Sequence, residues 1–482
     1  MGPLLSAAVV LVLVTPPPRA LPAEQEAGTP LAQTGDGPET VRIAYPDEPD
    51  SWFPHDAGEA AGMDLSALWG LPLYRIDAHG QLRPALAERA DIVPGESDEA
   101  WTVQVTLRAG SWSDGTPVTA ADVVATLDAM RAAGLDVGPL TTAVAADPRT
   151  VALRFARPYA RWPYLLAGGS SVLPAHVIEG AGLGAYREAV PVSGGPYRLE
   201  SWEPGLRATF VAADGSPQGT PLIPTIEVWF VHGFETALGL LAAGRIDVVT
   251  GYLAVDPGPR VAEVDDVEVA APLGGTWGLL AWADLPEDVR RAASDAVDVE
   301  ALVEALFDGI AEPATSTVPG VDGPWDPAGG VPGVALRTVE LTLAVPRGQE
   351  ATAVLGRALD RQLRSAGGRV TLVTAEDVDD VDDAEARLVV RRDVPWPSLV
   401  GRGTDDAVGL AARLEAADAA PTPTAGAVLA AQLALYRAAA EAPLLRIGVT
   451  TVWRQGLDGV APSSWPGVAL WNAPTWHWEP AD

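Results

Sequence analysis

Residues 101–130 read WTVQVTLRAGSWSDGTPVTAADVVATLDAM, and this stretch contains the clearest local pattern in the chain. Apolar and polar residues alternate over residues 101–107, which is typical of a half-buried β-strand. The SDG of residues 113–115 predicts a turn, because glycine accepts positive φ and aspartate can bond the backbone that follows it. Thr119, with Asp122 three residues later, predicts a capping box at the start of a helix. One face of that helix would be apolar and formed by Val123, Val124, Leu127 and Met130.

The composition excludes several classes of protein. The chain has 482 residues, of which 64 are acidic and 32 basic, so its formal net charge is −32. The sequence contains no lysine, and every base is an arginine. Such acidity argues against nucleic-acid binding, which requires a basic surface. Cysteine is absent, which excludes disulfides, thiolate metal sites and a cysteine nucleophile.

Three stretches carry a family resemblance. LRAGSWSDGTPVTAADVVATL, residues 107–127, resembles the signature segment of the extracellular solute-binding proteins of peptide ABC importers, the dipeptide- and oligopeptide-binding family 5. SGGPYRLESWEPG, residues 193–205, and ETALGLLAAGRIDVV, residues 235–249, resemble two further segments of the same family. The resemblance covers nearly all of residues 41–482. It implies an α/β, two-lobed periplasmic-binding-protein-like fold of type II, with an enlarged first lobe and a ligand cleft between the lobes.

The signature segment itself is expected to be a scaffold element. Polar turn residues such as Asp114 usually serve their own turn. We therefore expect ligand specificity to be determined elsewhere, in the less familiar segments of the second lobe.

The amino-terminal residues predict export. Residues 4–14 form an apolar run that suits the core of a signal peptide and is too short to cross a bilayer. We expect residues 1–23 to be a signal peptide and residues 24–40 a flexible polar lead-in. Many members of the resembled family carry a lipid-anchored cysteine, which this chain lacks. The expected location is therefore secreted or extracytoplasmic and associated with the cell surface, without lipid anchoring by that route.

The resemblance also predicts the lobe boundaries. Lobe one is expected at residues 41–272, lobe two at 273–452, and a return to lobe one at 453–482. A second crossing strand is expected in LLRIGVTTVW, residues 444–453. Within lobe two, the pattern of residues 339–375 predicts a β-α-β unit.

Candidate ligand residues in the first part of the chain are aromatic. In the resembled family the segment after the first strand passes close to the cleft, which makes Tyr45 and Trp52 candidates. Trp277 and Trp282 of the first crossing strand are further candidates, because tryptophan offers a large rigid apolar face. Burial in a core is the alternative for all four. The family commonly ends this strand in an aromatic–Asn pair, whereas here Ala-Asp follows Trp282.

ARLVVRRDVPWPS, residues 386–398, is the most informative ligand candidate. The resemblance implies that Asp393 meets the α-ammonium group of a peptide, with Trp396 nearby to cover apolar side chains. Arg391 and Arg392 have the chemistry to bind a carboxylate bidentately. The alternative is that Asp393 pairs with these arginines at the end of a strand.

The sequence contains no catalytic pattern. It has neither a G-x-S-x-G elbow nor an H-E-x-x-H pair, and its five histidines are scattered. The acidic run at residues 376–385 lacks the EF-hand spacing, which favours a solvated loop over a calcium site. We expect no enzyme activity, no cofactor and no metal.

The resemblance implies a substrate-binding protein of an ABC importer. Such a protein captures a short peptide or similar small amphiphile by hinge closure and delivers it to permease and ATPase subunits. The expected state is a monomer. Two alternatives remain open: a secreted two-lobed sensor or scavenger that no longer serves transport, and a secreted hydrolase, which is less favoured.

Overall fold

The protein is described from a computed structural model. The structure describes residues 38–55, 60–94, 101–283, 285–307, 309–314, 336, 339–375, 377–392, 441–465, 467 and 469–479. The predicted signal peptide and nearly all of the predicted lead-in lie outside these residues.

The described chain contains both β-strands and α-helices. The strands are β1 (Thr40–Tyr45), β2 (Tyr74–Ile76), β3 (Leu82–Pro84), β4 (Ala87–Pro94), β5 (Trp101–Leu107), β6 (Leu140–Asp147), β7 (Thr150–Phe155), β8 (Tyr197–Glu203), β9 (Arg207–Ala212), β10 (Thr225–Phe230), β11 (Val248–Tyr252), β12 (Val267–Ala270), β13 (Thr276–Trp282), β14 (Ala311–Pro313), β15 (Glu340–Pro346), β16 (Arg369–Ala375), β17 (Ala386–Arg392), β18 (Glu441–Ile447), β19 (Thr450–Arg454), β20 (Leu457–Asp458) and β21 (His477–Trp478). The α-helices are α1 (Ala60–Trp69), α2 (Ala120–Ala132), α3 (Ala175–Ala181), α4 (Phe234–Ala242), α5 (Pro257–Val261), α6 (Glu287–Asp295), α7 (Val299–Leu306) and α8 (Glu350–Ser365).

The first lobe is built on a seven-stranded sheet in the order β12-β19-β11-β1-β10-β9-β8. β1 is parallel to β10 on one side and to β11 on the other. β19, from near the end of the chain, is antiparallel to both β11 and β12. Val41 and Ile43 of β1 are fully buried in a core that also contains Phe210 and Trp476. The final segment of the chain therefore packs into lobe one.

The signature segment folds as its pattern predicts, with β5 leading through a turn into α2. The backbone N–H of Thr119 donates to Asp122 Oδ2 at 2.7 Å, so the acidic half of the predicted capping box is present. The same carboxylate also accepts from Trp112 Nε1 (3.3 Å) and, through Oδ1, from the N–H of Ala175 (2.8 Å). Asp122 is 4% exposed and thus joins three segments of lobe one.

The two glycines of the SGGPY motif are required by close packing. Ser193 exchanges two hydrogen bonds with the signature turn: its carbonyl accepts from the N–H of Ser113, and its N–H donates to the Ser113 hydroxyl. A Cβ at Gly194 would lie 2.4 Å from the Trp112 ring, and one at Gly195 would lie 2.6 Å from a backbone oxygen of α1. Side chains at these two positions would push the motif away from the signature turn and α1.

The second lobe is built on a six-stranded sheet in the order β14-β18-β13-β17-β15-β16. β15, α8 and β16 form the predicted β-α-β unit, in which the two strands are parallel. α8 buries Leu355, Leu359 and Leu363, which recur every fourth residue and so lie on one face. These leucines belong to the same core as Leu280 of β13. The β-α-β prediction for lobe two is confirmed.

The described chain passes between the sheets at two places. The first connection runs from Ala270 to Thr276 and contains the boundary predicted at residues 272 and 273. The second runs through residues 448–449, because Thr450 already pairs with Tyr252 of β11 in the first sheet. The crossing strand predicted over residues 444–453 is thus two strands, and the return to lobe one begins earlier than the predicted residue 453.

Candidate ligand cleft and hinge

Three strand ends of the first sheet border the cleft between the lobes. Because β1 is parallel to β10 and β11, the carboxyl ends of all three strands lie at one edge of the sheet. In open α/β sheets, ligands bind outside this edge. β19 is antiparallel to β11 and therefore starts at the same edge, where it arrives from lobe two. The candidate site comprises this edge and the residues of lobe two that face it.

Gln349 connects the two lobes at this edge. It is the residue before α8, and its Nε2 donates to Asp47 Oδ2 at 3.1 Å, just after β1. Its Oε1 accepts from the N–H of Leu253, directly after β11, also at 3.1 Å. Leu253 is 7% exposed and packs with the core of lobe two. One amide side chain thus contacts the segments after two of the three strands.

A charged cluster lies beside this contact. Arg260 Nη1 is 3.0 Å from Glu235 Oε1 in lobe one and 3.0 Å from Glu350 Oε2 in lobe two. The glutamate side chains are 68% and 44% exposed, so each ion pair contributes less than about 1 kcal/mol. Contacts of this strength orient the lobes without fixing their angle.

The two connections between the sheets, residues 271–275 and 448–449, are called the crossings and together form the hinge. Ser464 is hydrogen-bonded to both crossings. Its hydroxyl donates to the carbonyl of Pro272 at 2.5 Å and accepts from the N–H of Val449 at 2.7 Å. Its own carbonyl accepts from the hydroxyl of Thr276 at 2.8 Å. Ser464 is 1% exposed, and Val449 and Thr276 are fully buried. A single buried residue of the returning segment therefore holds both connections between the sheets.

Two glycines let the crossings lie this close. A Cβ at Gly448 would be 2.2 Å from the carbonyl oxygen of Ala271, which belongs to the other crossing. A Cβ at Gly274 would be 2.9 Å from the carbonyl carbon of Ser464. Since real Cβ atoms do not approach other atoms so closely, a side chain at Gly448 would separate the two crossings, and one at Gly274 would push Ser464 away from the first crossing.

Tyr45, a predicted ligand residue, lies at the carboxyl end of β1. It is 2% exposed, and its hydroxyl donates to Asp64 Oδ2 at 2.7 Å. Asp64 is fully buried, and its Oδ1 accepts from the N–H of Gly467 at 2.8 Å. Tyr45 and Asp64 thus link the border of the cleft to the segment that follows the hinge. A direct ligand contact of Tyr45 stays a prediction.

Trp52 and Trp282 make contacts inside their own lobes. Trp52 is fully buried and packs edge-on against Trp202 and Phe210, with ring centroids 5.6 and 6.0 Å apart. Trp282 is 8% exposed, and its Nε1 donates to Ser294 Oγ at 3.0 Å. Both tryptophans have the core environment that the sequence left open as the alternative, and their role in ligand binding stays a prediction.

The remaining predicted ligand residues belong to β13, to the end of β17 and to the chain after β17. In the antiparallel register of these strands, Trp277 is the partner of Arg391 and Thr276 is the partner of Arg392. Thr276 contacts Ser464 at the hinge. The register therefore places Trp277, Arg391 and Arg392 at the same hinge end of the second sheet. Asp393 and Trp396 lie outside the described residues, and their ligand role stays a prediction.

His55 is a buried polar residue of the cleft loop that sequence reasoning treated as unremarkable. Its Nε2–H donates to the carbonyl of Ser171 at 2.8 Å, so Nδ1 carries the lone pair. Nδ1 is buried and has no hydrogen-bond partner. Burial lowers the pKa of His55 to about 4, although the hydrogen bond to Ser171 acts in the opposite direction. The imidazole is therefore neutral at physiological pH. In the sequence, the only feature that pointed to a role for His55 was its position shortly after the first strand.

The described part of the chain has neither a metal-ligand cluster nor a membrane-spanning helix. Its residues include no group of three or more histidine, aspartate or glutamate side chains arranged to hold a metal ion. None of its helices combines the length and apolarity needed to cross a membrane.

Two α/β lobes, joined by two close crossings and facing each other across strand ends, define the class of hinged solute-binding proteins. The sequence profile described as bacterial extracellular solute-binding proteins, family 5 Middle, matches residues 81–333, which is more than half of the chain. The chain belongs to this family.

Individual relatives resemble part of the sequence and nearly all of the fold. Protein XP55 of Streptomyces lividans is 28% identical over 301 residues, which are 60% of this chain and 53% of that protein. The glutathione-binding protein GsiB of Salmonella choleraesuis (strain SC-B67) is 27% identical over 287 residues, 55% of this chain and 53% of that protein. The chain thus spans about half the length of these curated relatives. The oligopeptide-binding protein AppA of Bacillus subtilis, in complex with a nonapeptide, superposes with a TM-score of 0.75 at 16% identity, over 91% of this chain and 99% of that one. The superposition shows a shared two-lobed fold.

Proposed function

We propose that the protein captures a small solute between its lobes, outside the cytoplasm, and delivers it to the permease and ATPase subunits of an ABC importer. The solute is a short peptide or a similar small amphiphile. Binding to both lobes favours the closed arrangement, because a ligand shifts a conformational equilibrium by the difference in its affinity for the two states.

The hinge is the observation that carries this proposal. Ser464 holds the two crossings together through hydrogen bonds of 2.5 and 2.7 Å. Outside the hinge, Gln349 and Arg260 make polar, partly exposed contacts between the lobes, and Leu253 packs against the core of lobe two. Two close, tightly held crossings allow one lobe to rotate against the other.

Two observations support this ligand class: the names of relatives, and the chemistry of the side chains within residues 391–396. One relative is named for glutathione, a peptide, and one structural neighbour holds a nonapeptide. Asp393 would meet the α-ammonium group of such a ligand, and Trp396 would cover its apolar side chains. Arg391 and Arg392 supply guanidinium groups for its carboxylate.

Native mass spectrometry of freshly purified protein tests whether a solute is held. We expect a noncovalent adduct in the mass range of a short peptide, lost on mild activation. Turnover of peptide or ester substrates by the pure protein would contradict a binding role and favour a hydrolase.

Asp393→Ala tests the predicted ammonium contact. With the adduct or a matching peptide as ligand, calorimetry should show at least about a tenfold loss of affinity, since removing one partner of a buried charge pair costs 2 kcal/mol or more.

Asp383→Ala is the matched control, because Asp383 is an exposed acid of the same lobe. It should leave affinity unchanged. Equal affinities of the wild type and Asp393→Ala would reject the contact, while the adduct would still support solute binding.

A further inference from the structure

The segment at the end of β11 is shared between the cores of the two lobes. Tyr252 and Ala254 are 3% and 0% exposed and belong to a core cluster of lobe one. Leu253, which lies between them, is 7% exposed and belongs to the core of lobe two, against which Val255 also packs. Alternate residues thus face opposite lobes, as the two faces of a strand would. Four consecutive residues therefore contact both lobes.

The backbone of Leu253 is bonded to lobe two as well. Its N–H donates to Gln349 Oε1 at 3.1 Å, and its carbonyl accepts from the N–H of Ala351 at 3.2 Å. Ala351 lies in the first turn of α8, and the N–H groups of a first turn have no acceptor within their own helix. Leu253 therefore supplies a missing acceptor to a helix of the other lobe, in addition to burying its side chain there.

This attachment lies beside the second crossing. Tyr252 is the strand partner of Thr450, the first residue after that crossing. The strands β12, β19 and β11 are neighbours in the first sheet, and neighbouring strands are about 5 Å apart. The end of β12, the start of β19 and the end of β11 lie at one edge, because β19 is antiparallel to both of the others. The two crossings and Leu253 thus form a row of three attachments along this edge.

We infer that Leu253 is a third, noncovalent attachment that extends the hinge and stays in place while the lobes rotate. Residues beside a pivot are displaced least, and detachment would expose a buried leucine, which disfavours it by at least about tenfold. Three attachments in a row restrict rotation to the line that joins them, whereas two crossings about 5 Å apart would also let the lobes twist. Leu253 is thus a positioning residue for solute capture, and this role rests on the proposed hinge closure.

Hydrogen exchange at the Ala351 amide, followed by NMR, reports on the attachment directly, because no acceptor inside α8 protects this amide. In the wild type we expect exchange at least about a hundredfold slower than at an unprotected amide, both with and without the co-purified solute. Exchange at the unprotected rate in the solute-free protein would overturn the proposal, since the attachment would then open with the lobes. Slow exchange in a protein that holds no solute would support the attachment while rejecting the proposed function.

Leu253→Ala tests the positioning role. The variant loses the buried anchor, so exchange at the Ala351 amide should become at least about tenfold faster. In the solute-free protein, double resonance between spin labels at the exposed positions Leu206 of lobe one and Arg369 of lobe two should show a broader distance distribution than in the parent. Leu253→Met, which nearly conserves the volume of the side chain, should restore both results.

Leu388→Ala is the matched control for lost packing. Leu388 is fully buried in the same core as Leu253 but belongs to β17, inside lobe two. The variant should melt at a lower temperature and keep the distance distribution and the Ala351 exchange rate of the parent. A parental distribution in Leu253→Ala, or equal broadening in Leu388→Ala, would overturn the positioning role of Leu253.

Discussion

Burial holds His55 in its neutral form. The ring donates through Nε2 to the carbonyl of Ser171, and Nδ1 remains without a partner. Its pKa is about 4 in the folded protein, against 6.5 for an unperturbed histidine. Between these two pH values the unfolded chain binds more protons than the folded one. The folded protein therefore loses stability at this residue as the pH falls from 6.5 to 4.

His55→Gln should reduce this loss. The variant removes the titrating ring, so its free energy of unfolding should fall less between pH 7 and pH 4 than that of the wild type, by up to roughly 3 kcal/mol. Urea unfolding of both proteins at the two pH values measures the difference.

His79→Gln serves as the control, since His79 is exposed. It should follow the pH dependence of the wild type. If His55→Gln and the wild type lose equal stability on acidification, His55 is not held neutral by burial.

At the scale of elements, the hinge depends on one side chain more than on either crossing strand. Ser464 satisfies the N–H of Val449 and the carbonyl of Pro272 at once. Without its hydroxyl, the buried N–H of Val449 would lack a partner, which costs about 1–3 kcal/mol, and the part-buried carbonyl of Pro272 would lose its donor. The two crossings would also lose their common attachment.

Ser464→Ala should therefore widen the range of angles between the lobes. Because the chain has no cysteine, thiols introduced at Leu206 of lobe one and Arg369 of lobe two would be the sole labelling sites. Both positions are exposed, at 52% for Leu206 and 74% for the Arg369 side chain. Electron–electron double resonance between the two labels should show a broader distance distribution in Ser464→Ala.

Ser463→Ala provides a matched control in the next position. Ser463 is equally buried, at 1% exposed, but among the described residues its hydroxyl accepts only from the N–H of Trp465 in its own segment. Its distribution should match that of the parent. Equal broadening in both variants would mean that any lost hydrogen bond loosens the lobes and that Ser464 has no special part in the hinge.

The elements that could be predicted are those determined by neighbouring residues. β5 and α2 follow from alternation and from Asp122 three residues after Thr119, and the second-lobe β-α-β unit follows from local period. Ser464 could not be predicted, because its contacts join residues 192 and 15 positions away in the chain. The division of the second crossing strand into β18 and β19 was not predicted for the same reason. A glycine is needed at position 448 because a side chain there would collide with Ala271, which is distant in the sequence.

The candidate site was less predictable than the fold. Tyr45 lies at the end of the first strand, beside the segment that the resemblance predicts to pass close to the cleft. The resemblance did not show that Tyr45 bonds to Asp64 or that Trp52 packs against Phe210, because the path of the loop between β1 and α1 depends on the surrounding core. The contacts of Gln349 with Asp47 and Leu253 had no signal in the sequence, since one glutamine before a helix is common.

At the scale of the whole molecule, the arrangement suits closure around a solute. The first sheet directs three strand ends at the second lobe, and the described contacts across the cleft combine polar ones at Gln349 and Arg260 with the packing of Leu253 against lobe two. Residues 448–449 and the segment between β12 and β13 provide a narrow pivot. Lobe rotation about this pivot would change the volume between the lobes.

The distance between labels at Leu206 and Arg369, measured with and without the co-purified solute, tests the central claim most directly. Solute would be removed by partial unfolding and refolding, and then added back. We expect a narrow distribution with solute, a broader and displaced one without it, and recovery on addition. Identical distributions in all three samples, with a solute adduct present in the first, would contradict capture by hinge closure.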